Sequence, residues 1–153
     1  MIGLLQRVSE ANVSIAGEIV GAIDRGLLVL VGVEKSDTEA EAERLAQRLL
    51  NYRVFADEQG RMNLNVAQVK GGLLLVPQFT LVADTEQGNR PGFSRAADPA
   101  TGSRLFTRLV NAVQQSALPV ATGRFGADMQ VRLCNDGPVT ISLSVSAAGS
   151  KGA

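Results

Sequence analysis

The sequence predicts an α+β domain with a mainly antiparallel, barrel-like β-sheet and two amphipathic helices. Three observations support this fold class. Segments of strand length outnumber the two segments with helical periodicity. The order of strands, helix, strands, helix and strands is not a regular βαβ alternation. A chain of 153 residues, of which 45% are hydrophobic, is most simply one domain with a substantial core.

Four strands are predicted in the first half of the chain, where turn residues separate apolar or alternating segments. They cover residues 2–15, 19–23, 27–33 and 53–55. Residues 27–33 form a continuous apolar run, which is typical of a central strand buried on both faces. Ala16-Gly17-Glu18 and Asp24-Arg25-Gly26 are the predicted turns between the first three strands.

The first helix is predicted over residues 37–51. Ser36 and Glu39 have the spacing of a capping box, and the first turn is acidic, as the helix dipole favours. Four apolar residues then follow at helical spacing. They are Ala42, Leu45, Ala46 and Leu49.

The second half of the chain is predicted to contain an apolar strand, a long loop, a helix and two final strands. The strand, residues 73–76, leads into Pro77-Gln78-Phe79-Thr80-Leu81. Residues 84–99 are rich in Gly, Pro and Arg, and loops of this length in a compact domain are often functional. A second helix is predicted from the apolar residues Leu105, Leu109, Ala112 and Val113, and it ends near Ala117. The last two strands are predicted at residues 129–134 and 139–145. The domain is predicted to span residues 1–146, with a flexible tail at 147–153.

The composition excludes several kinds of catalytic site. The chain has no histidine, which removes the Ser-His-Asp triad, the Cys-His pair and histidine-based zinc sites. Cys134 is the only cysteine, so it forms neither an internal disulfide nor a zinc cluster. We therefore expect no metal and no cofactor, and catalysis must depend on backbone groups, carboxylates, hydroxyls or the substrate itself.

The N-terminal segment lacks the features of a signal peptide, and no apolar run is long enough to span a membrane. A cytoplasmic protein without a membrane partner is therefore expected.

Charge is distributed unevenly, although the formal net charge is zero. Residues 1–84 carry 8 basic and 11 acidic side chains, whereas residues 85–153 carry 7 and 4. The basic residues of the second segment are almost all arginines: Arg90, Arg95, Arg104, Arg108, Arg124 and Arg132. The guanidinium group suits phosphate, but this feature alone favours ordinary solvated charge.

Three segments contain candidate site residues, and each has a purely structural alternative. Asn135-Asp136-Gly137-Pro138 has the composition of a hairpin turn, although a cis bond before Pro138 would favour a functional role. Gln78-Phe79-Thr80 is either a continuing strand with a buried Phe79 or a catalytic segment with backbone donors. Thr80 is a nucleophile by residue type but has no histidine to activate it. In Gly123–Met129, Phe125 either enters the core or covers a base together with Met129.

In this order and spacing, these segments resemble the D-aminoacyl-tRNA deacylases, the D-tyrosyl-tRNA deacylase family. The most specific matches are Gln78-Phe79-Thr80-Leu81 and Asn135-Asp136-Gly137-Pro138-Val139-Thr140. The resemblance extends over nearly the whole chain. It implies an editing hydrolase that cleaves the ester between a D-amino acid and the terminal adenosine of tRNA, acting as a homodimer with active sites at the interface.

The resemblance also implies roles for individual residues. Gln78, Phe79 and Thr80 would form the catalytic segment, with Thr80 in a positioning role, while the 2′-hydroxyl of the terminal ribose helps to activate water. Gly137-Pro138, in cis, would enter the partner subunit's pocket and exclude L side chains, which leaves glycyl-tRNA as a further substrate.

Three more residues have supporting roles by the same resemblance. Arg7 would brace the loop that contains Gly137 and Pro138, and Phe125 with Met129 would hold the adenosine. Two departures from the family pattern stand out. Pro77 replaces a usual serine and removes both a hydroxyl and a backbone donor, and Gly92 precedes Phe93 where the family more often has serine. The alternatives are a non-hydrolytic nucleic-acid-binding homodimer with the same fold and a structural homodimer.

Overall fold

The structure is a computed structural model that describes residues 1–147. Except for Ala147, the predicted flexible tail lies outside the described residues. Within residues 1–147 the chain forms eight strands, two α-helices and one short 3-10 helix. In chain order these are β1 (Ile2–Ile15), β2 (Glu18–Ile23), β3 (Gly26–Gly32), α1 (Glu39–Asn51), β4 (Phe55–Ala56), β5 (Met62–Leu64), β6 (Gly72–Pro77), the 3-10 helix (Phe79–Val82), α2 (Pro99–Gln114), β7 (Val120–Thr122) and β8 (Gln130–Ser144).

Strand β1 organises the main sheet because it pairs along both of its edges. One edge pairs with β8, and the other pairs first with β3 and then with β2, all antiparallel. Strands β6 and β7 continue the sheet beyond β3. The sheet curls until β2 approaches β7, where a Cβ atom on Gly21 would lie 2.8 Å from the carbonyl oxygen of Thr122. The α+β class, the two helices and the barrel-like sheet are thus confirmed.

The predicted mainly antiparallel pairing is wrong, because the sheet is mixed. Strand β6 runs parallel to β3, and β7 runs parallel to β6. The connections through α1 and α2 return the chain to the same end of the sheet, which makes consecutive strands parallel. The continuous apolar run in β3 is itself typical of parallel strands that are covered on both faces.

The core has two parts, one on each face of the sheet. Successive strand residues point to opposite faces, so Leu27 and Val29 face the helices while Leu28 points into the barrel. The helix-side cluster includes Leu27, Val29, Leu73 and Leu75 of the sheet with Leu45, Leu49, Leu105 and Leu109 of the helices. The barrel cluster contains Val8, Ala11, Val13, Ile23, Leu28, Leu74 and Val76. None of the helices within residues 1–147 is long and apolar enough to cross a membrane.

Helix α1 begins two residues later than predicted. Thr38 is the N-cap, and the carboxylate of Glu41 accepts hydrogen bonds from both the Thr38 N–H and its hydroxyl, each at 2.6 Å. The predicted capping box of Ser36 and Glu39 is therefore wrong. The chain is still turning at Asp37, whose carboxylate accepts a hydrogen bond from the Glu34 N–H at 2.7 Å.

The buried Asp37 carboxylate also fixes the start of β1. It lies 2.7 Å from the ammonium group of Met1, which donates a second hydrogen bond to the Val145 carbonyl oxygen. Burial raises the pKa of Asp37, while the ammonium group and the Glu34 N–H oppose that shift. This contact joins the beginnings of β1 and α1 to the end of β8.

The final predicted strands are one strand. Both halves of β8 pair with β1, with Leu133 opposite Ala11 and Thr140 opposite Gln6. The chain does not reverse between them, so the hairpin interpretation is wrong. Residues 136–139 instead bulge from the ladder opposite Arg7. Smaller differences are that β4 begins at Phe55 and that α2 ends at Gln114 rather than near Ala117.

The capping box makes a pH-dependent prediction. Hydrogen bonds from Thr38 hold the pKa of Glu41 below its usual value. A carboxyl whose pKa falls on folding stabilises the protein above its unfolded pKa, and that contribution is lost as the pH falls through the folded pKa. We expect Glu41→Gln to lower the free energy of unfolding by about 1 kcal/mol at neutral pH and by less below about pH 4.

Urea unfolding of Glu41→Gln and the wild type, at neutral pH and below about pH 4, measures this loss of stability. Glu58→Gln is the control, because Glu58 lies in an exposed turn. An equal loss of stability at both pH values would show that the charge of Glu41 does not matter.

Candidate active site

The predicted catalytic segment begins where β6 ends. Pro77 is the last residue of this strand, and the Gln78 N–H still donates to the Val31 carbonyl oxygen at 2.8 Å. The chain then turns into the 3-10 helix, and Phe79 is 60% exposed. A continuing strand with a buried Phe79 is therefore excluded.

Two neighbouring backbone donors are available at this turn. The N–H groups of Phe79 and Thr80 open the 3-10 helix, where a helix provides no internal acceptor. Neither donates a hydrogen bond to another group within residues 1–147. Both residues are exposed, so the turn that carries these N–H groups faces solvent.

The hydroxyl of Thr80 has no activating base. It accepts a hydrogen bond from the Gln78 side-chain amide, which cannot take up a proton at neutral pH. Among residues 1–147, no carboxylate hydrogen-bonds to this hydroxyl. Its geometry therefore fits a positioning role better than a nucleophilic one.

Phe79 lines two pockets. The first, of about 290 Å³, is lined by Pro77, Phe79, Ala96, Ala97, Pro99, Phe125 and Gly126. The second, of about 270 Å³, is lined by Val76, Pro77, Gln78, Phe79, Gly126, Ala127, Asp128, Met129 and Val131. The structure thus brings four predicted site residues together around two adjacent pockets: Gln78, Phe79, Phe125 and Met129.

The segment that contains Phe125 and Met129 is a loop between β7 and β8, not a bulged strand. The Arg124 N–H contacts the Met129 sulfur at 3.4 Å, and the Ala127 N–H donates to the Arg124 carbonyl oxygen. Phe125 is half-buried, with its ring against Gly102 of α2, where a Cβ atom would lie 3.1 Å from the ring. Sequence reasoning missed Gly102, although glycine inside a helix is itself a sign of close packing.

Phe93 is a second neighbour of the site that the sequence did not single out for a role. Its ring centroid lies 5.0 Å from that of Phe79, with the ring planes tilted by 52°. The long loop that contains Phe93 is held by two backbone hydrogen bonds between Asp84 and Gly92, of 2.7 and 2.9 Å. The aromatic pair thus fixes the exposed side chain of Phe79.

Gly137 and Pro138 lie in the bulge of β8, and the peptide bond between them is cis. Arg7 contacts this bulge through its Nε atom, which donates to the Asp136 carbonyl oxygen at 3.0 Å. Its Nη1 atom donates to the Val54 carbonyl oxygen at 2.7 Å, so the guanidinium joins the bulge to the segment before β4. Both Gly137 and Pro138 remain exposed.

One chain does not bring this bulge to the catalytic segment. Arg7 pairs with Leu27 in β3, whereas Pro77 pairs with Val31. Four residues of strand separate the two positions by about 13 Å, and β1 and β3 also lie between β8 and β6. The predicted site residues therefore form two separate groups within the chain.

Within residues 1–147, no group of three or more His, Cys, Asp or Glu side chains is arranged to hold a metal ion.

The contacts of Arg7 predict how the bulge responds to mutation. In Arg7→Lys a single ammonium group replaces the planar fork and cannot hold both carbonyl oxygens. We expect the amide of Val139, which donates to the Asn135 side chain at 3.2 Å, to exchange its hydrogen about tenfold faster. Hydrogen exchange followed by NMR measures this rate.

Arg61→Lys is the matched control, because Arg61 is exposed and has no ion pair among residues 1–147. Unchanged exchange at Val139 in Arg7→Lys would mean that Arg7 does not brace the bulge.

Comparison with known proteins assigns the chain to a family. The sequence model of the family described as D-Tyr-tRNA(Tyr) deacylase matches residues 4–144. A D-aminoacyl-tRNA deacylase of Pseudomonas putida is 63% identical over 145 residues, which cover 95% of this chain and 100% of the relative. One from Alteromonas mediterranea is 59% identical with the same coverage.

Two solved structures are similar to this one. The c-Myc DNA Unwinding Element Binding Protein is 37% identical with a TM-score of 0.90, covering 96% of this chain and 100% of that chain. A probable eukaryotic D-amino acid tRNA deacylase, at 17% identity and a TM-score of 0.81 over 94% and 98% of the two chains, shares the fold. The names of the closely similar relatives confirm that the chain is an enzyme of the deacylase class. The chain belongs to the D-Tyr-tRNA(Tyr) deacylase family.

Proposed function

We propose that this chain is an editing hydrolase that cleaves the ester between a D-amino acid and the 3′-terminal adenosine of a mischarged tRNA. Family membership supports deacylation of aminoacyl-tRNA. The observation that carries the catalytic part is that the N–H groups of Phe79 and Thr80 have no internal acceptor at a turn where Phe79 lines two pockets.

The two N–H groups form the oxyanion hole of this mechanism. Attack of water on the ester carbonyl places a negative charge on its oxygen, and preorganised donors stabilise that charge. Loss of one such donor typically costs on the order of 3 kcal/mol in the barrier. Pro77 does not remove either donor, because these N–H groups belong to Phe79 and Thr80, the first two residues of the 3-10 helix, which begins two residues after Pro77.

The substrate itself helps to remove a proton from the attacking water. The chain has no histidine, and the Thr80 hydroxyl has no base within the described residues. The 2′-hydroxyl of the terminal ribose lies beside the ester in any aminoacyl-tRNA and can take part in activating the attacking water. The enzyme contributes orientation and the backbone donors.

Phe125 and Met129 hold the terminal adenosine. Each lines one of the two pockets that flank Phe79, and the pockets are near the lower end of the size range for small-molecule sites. An aromatic ring and a thioether both pack well on the face of a base. This places the ester next to the backbone donors.

Selection for D-amino acids comes from Gly137 and Pro138 of a second subunit. Within one chain these residues are exposed, braced by Arg7 and distant from Gln78. In a homodimer with active sites at the interface, their carbonyl oxygens would occupy the space of an L side chain. Glycine has no side chain to exclude, so glycyl-tRNA is also a substrate.

An assay with three substrates tests this function. The protein is mixed with D-tyrosyl-tRNA, L-tyrosyl-tRNA or glycyl-tRNA, and loss of the ester is followed. We expect hydrolysis of the D-aminoacyl and glycyl esters and a far slower reaction of the L-aminoacyl ester, because a clash excludes more strongly than a missing contact. Absence of D-selective hydrolysis would end the proposal.

A non-hydrolytic nucleic-acid-binding protein is the second candidate. The similar structure named as a DNA unwinding element binding protein favours it. Binding of uncharged tRNA without turnover of any aminoacyl ester is the result that would support this candidate over the hydrolase.

Two substitutions at one position separate backbone from side-chain catalysis. Thr80→Ala removes the hydroxyl but keeps the N–H, so we expect kcat to remain within about tenfold of the wild type. Thr80→Pro removes the N–H in the first helical turn, where proline is tolerated, and we expect kcat to fall by about 10²–10³.

Single-turnover kinetics on D-tyrosyl-tRNA measure both effects, with thermal unfolding as the check that each variant folds. Complete loss of activity in Thr80→Ala would restore the hydroxyl as the nucleophile.

A further inference from the structure

The structure separates the six arginines of the basic C-terminal segment into two groups. Three of them pair with glutamates of the first half of the chain. These pairs are Arg95 with Glu34, Arg104 with Glu39, and Arg108 with Glu43. The other three, Arg90, Arg124 and Arg132, have no carboxylate within salt-bridge range among residues 1–147. The excess of basic charge is therefore not spread evenly over the surface.

Arg124 does not line either pocket itself, but its neighbours in the chain do. It directly precedes Phe125, and Gly126 lines the two pockets. Its backbone is held by the contacts of its N–H with the Met129 sulfur and of its carbonyl oxygen with the Ala127 N–H. The side chain is exposed. A held backbone thus carries an exposed arginine without an ion pair directly before Phe125 of the proposed adenosine site.

Arg90 lies three residues before Phe93, whose ring contacts that of Phe79. It belongs to the loop that the Asp84–Gly92 hydrogen bonds close and that places the Phe93 ring against Phe79. Three residues of extended chain span at most about 10 Å, so the backbone of Arg90 stays close to this aromatic pair. Its side chain is exposed as well.

The net charge around Arg90 and Arg124 is not by itself a reason for phosphate to bind there, because carboxylates lie nearby. Glu86 lies in the same loop as Arg90, and Asp128 lies near Arg124 and lines the second pocket. Neither carboxylate pairs with an arginine among residues 1–147. What distinguishes the two arginines is that both are unpaired and each is close in sequence to an aromatic residue beside Phe79: Arg124 precedes Phe125, and Arg90 lies three residues before Phe93.

The substrate brings phosphate groups to the edge of the two pockets. When the terminal adenosine occupies the pockets, the chain that precedes it must leave over their edge with one negative charge per nucleotide. We propose that Arg90 and Arg124 bind the phosphodiester groups of the single-stranded 3′ end of tRNA next to the terminal adenosine. The inference rests on the proposed function, and it adds the residues that hold the tRNA backbone. The planar guanidinium forms paired hydrogen bonds with phosphate oxygens.

Paired substrates test this role. One is D-tyrosyl-tRNA, and the other is the D-tyrosyl ester of adenosine, which has no phosphate. We expect Arg90→Gln and Arg124→Gln each to lower kcat/KM for the tRNA about fivefold at low salt, chiefly through KM. Hydrolysis of the adenosine ester should stay at the wild-type rate in both variants.

Arg108→Gln is the matched control, because it removes the same charge from an arginine that is already paired with Glu43. It should leave both substrates unaffected. Equal losses in Arg108→Gln, losses on the adenosine ester, or no loss on the tRNA would each overturn the assignment of Arg90 and Arg124.

Salt dependence gives a second readout that does not need turnover. Each phosphate contact with a single strand contributes about 0.7 to the slope of log affinity against log salt concentration. Binding of uncharged tRNA, measured by fluorescence anisotropy from low to moderate salt, should therefore lose about 0.7 of slope per variant and about 1.4 in the double variant. An unchanged slope contradicts the inference. A wild type that binds tRNA with this slope but hydrolyses neither ester contradicts only the proposed function.

Discussion

The pairing of β8 with β1 is the constraint on which the rest of the structure depends. Strand β1 uses its other edge for β3 and β2, so its full-length ladder with β8 fixes both halves of the barrel. The Met1 ammonium group, held by Asp37 and the Val145 carbonyl oxygen, secures the end of this ladder. Because the two strands pair on both sides of the bulge, Gly137 and Pro138 protrude at a defined place. Arg7, which lies opposite on β1, then holds the bulge in this position.

The parallel pairing of β6 and β7 builds the other half of the site. Parallel strands end at the same edge of a sheet, so the residues after Pro77 and those after Thr122 must emerge side by side. Phe79 consequently meets Phe125 and Met129 across two pockets. An antiparallel β7 would have sent this loop to the opposite edge. The feature of the sheet that was predicted wrongly is thus the one that brings the proposed catalytic segment to the loop proposed to bind adenosine.

The sequence identifies the strands, helices and family motifs more reliably than it predicts how these segments are arranged in the fold. Strand and helix positions follow from local periodicity, and the motifs around Gln78 and Gly137 identify the family. The continuity of β8 could not be predicted locally, because Asn, Asp, Gly and Pro serve a bulge as well as a hairpin. The start of α1 was equally ambiguous. Ser36 with Glu39 and Thr38 with Glu41 have the same spacing, and the distant Met1 ammonium group, by engaging Asp37, decides between them.

The proposed mechanism explains why a chain without histidine can be a hydrolase. Its working groups are the N–H groups of Phe79 and Thr80 in one subunit and the carbonyl oxygens of Gly137 and Pro138 in the other. Backbone groups do not titrate near neutral pH, and most side-chain substitutions leave them in place. Their positions depend instead on the fold that carries them: the 3-10 helix after β6 and the bulge that Arg7 braces. For such a site, the fold sets the geometry of the working groups, and in this proposal the ribose of the substrate gives the chemical help that side chains would otherwise supply.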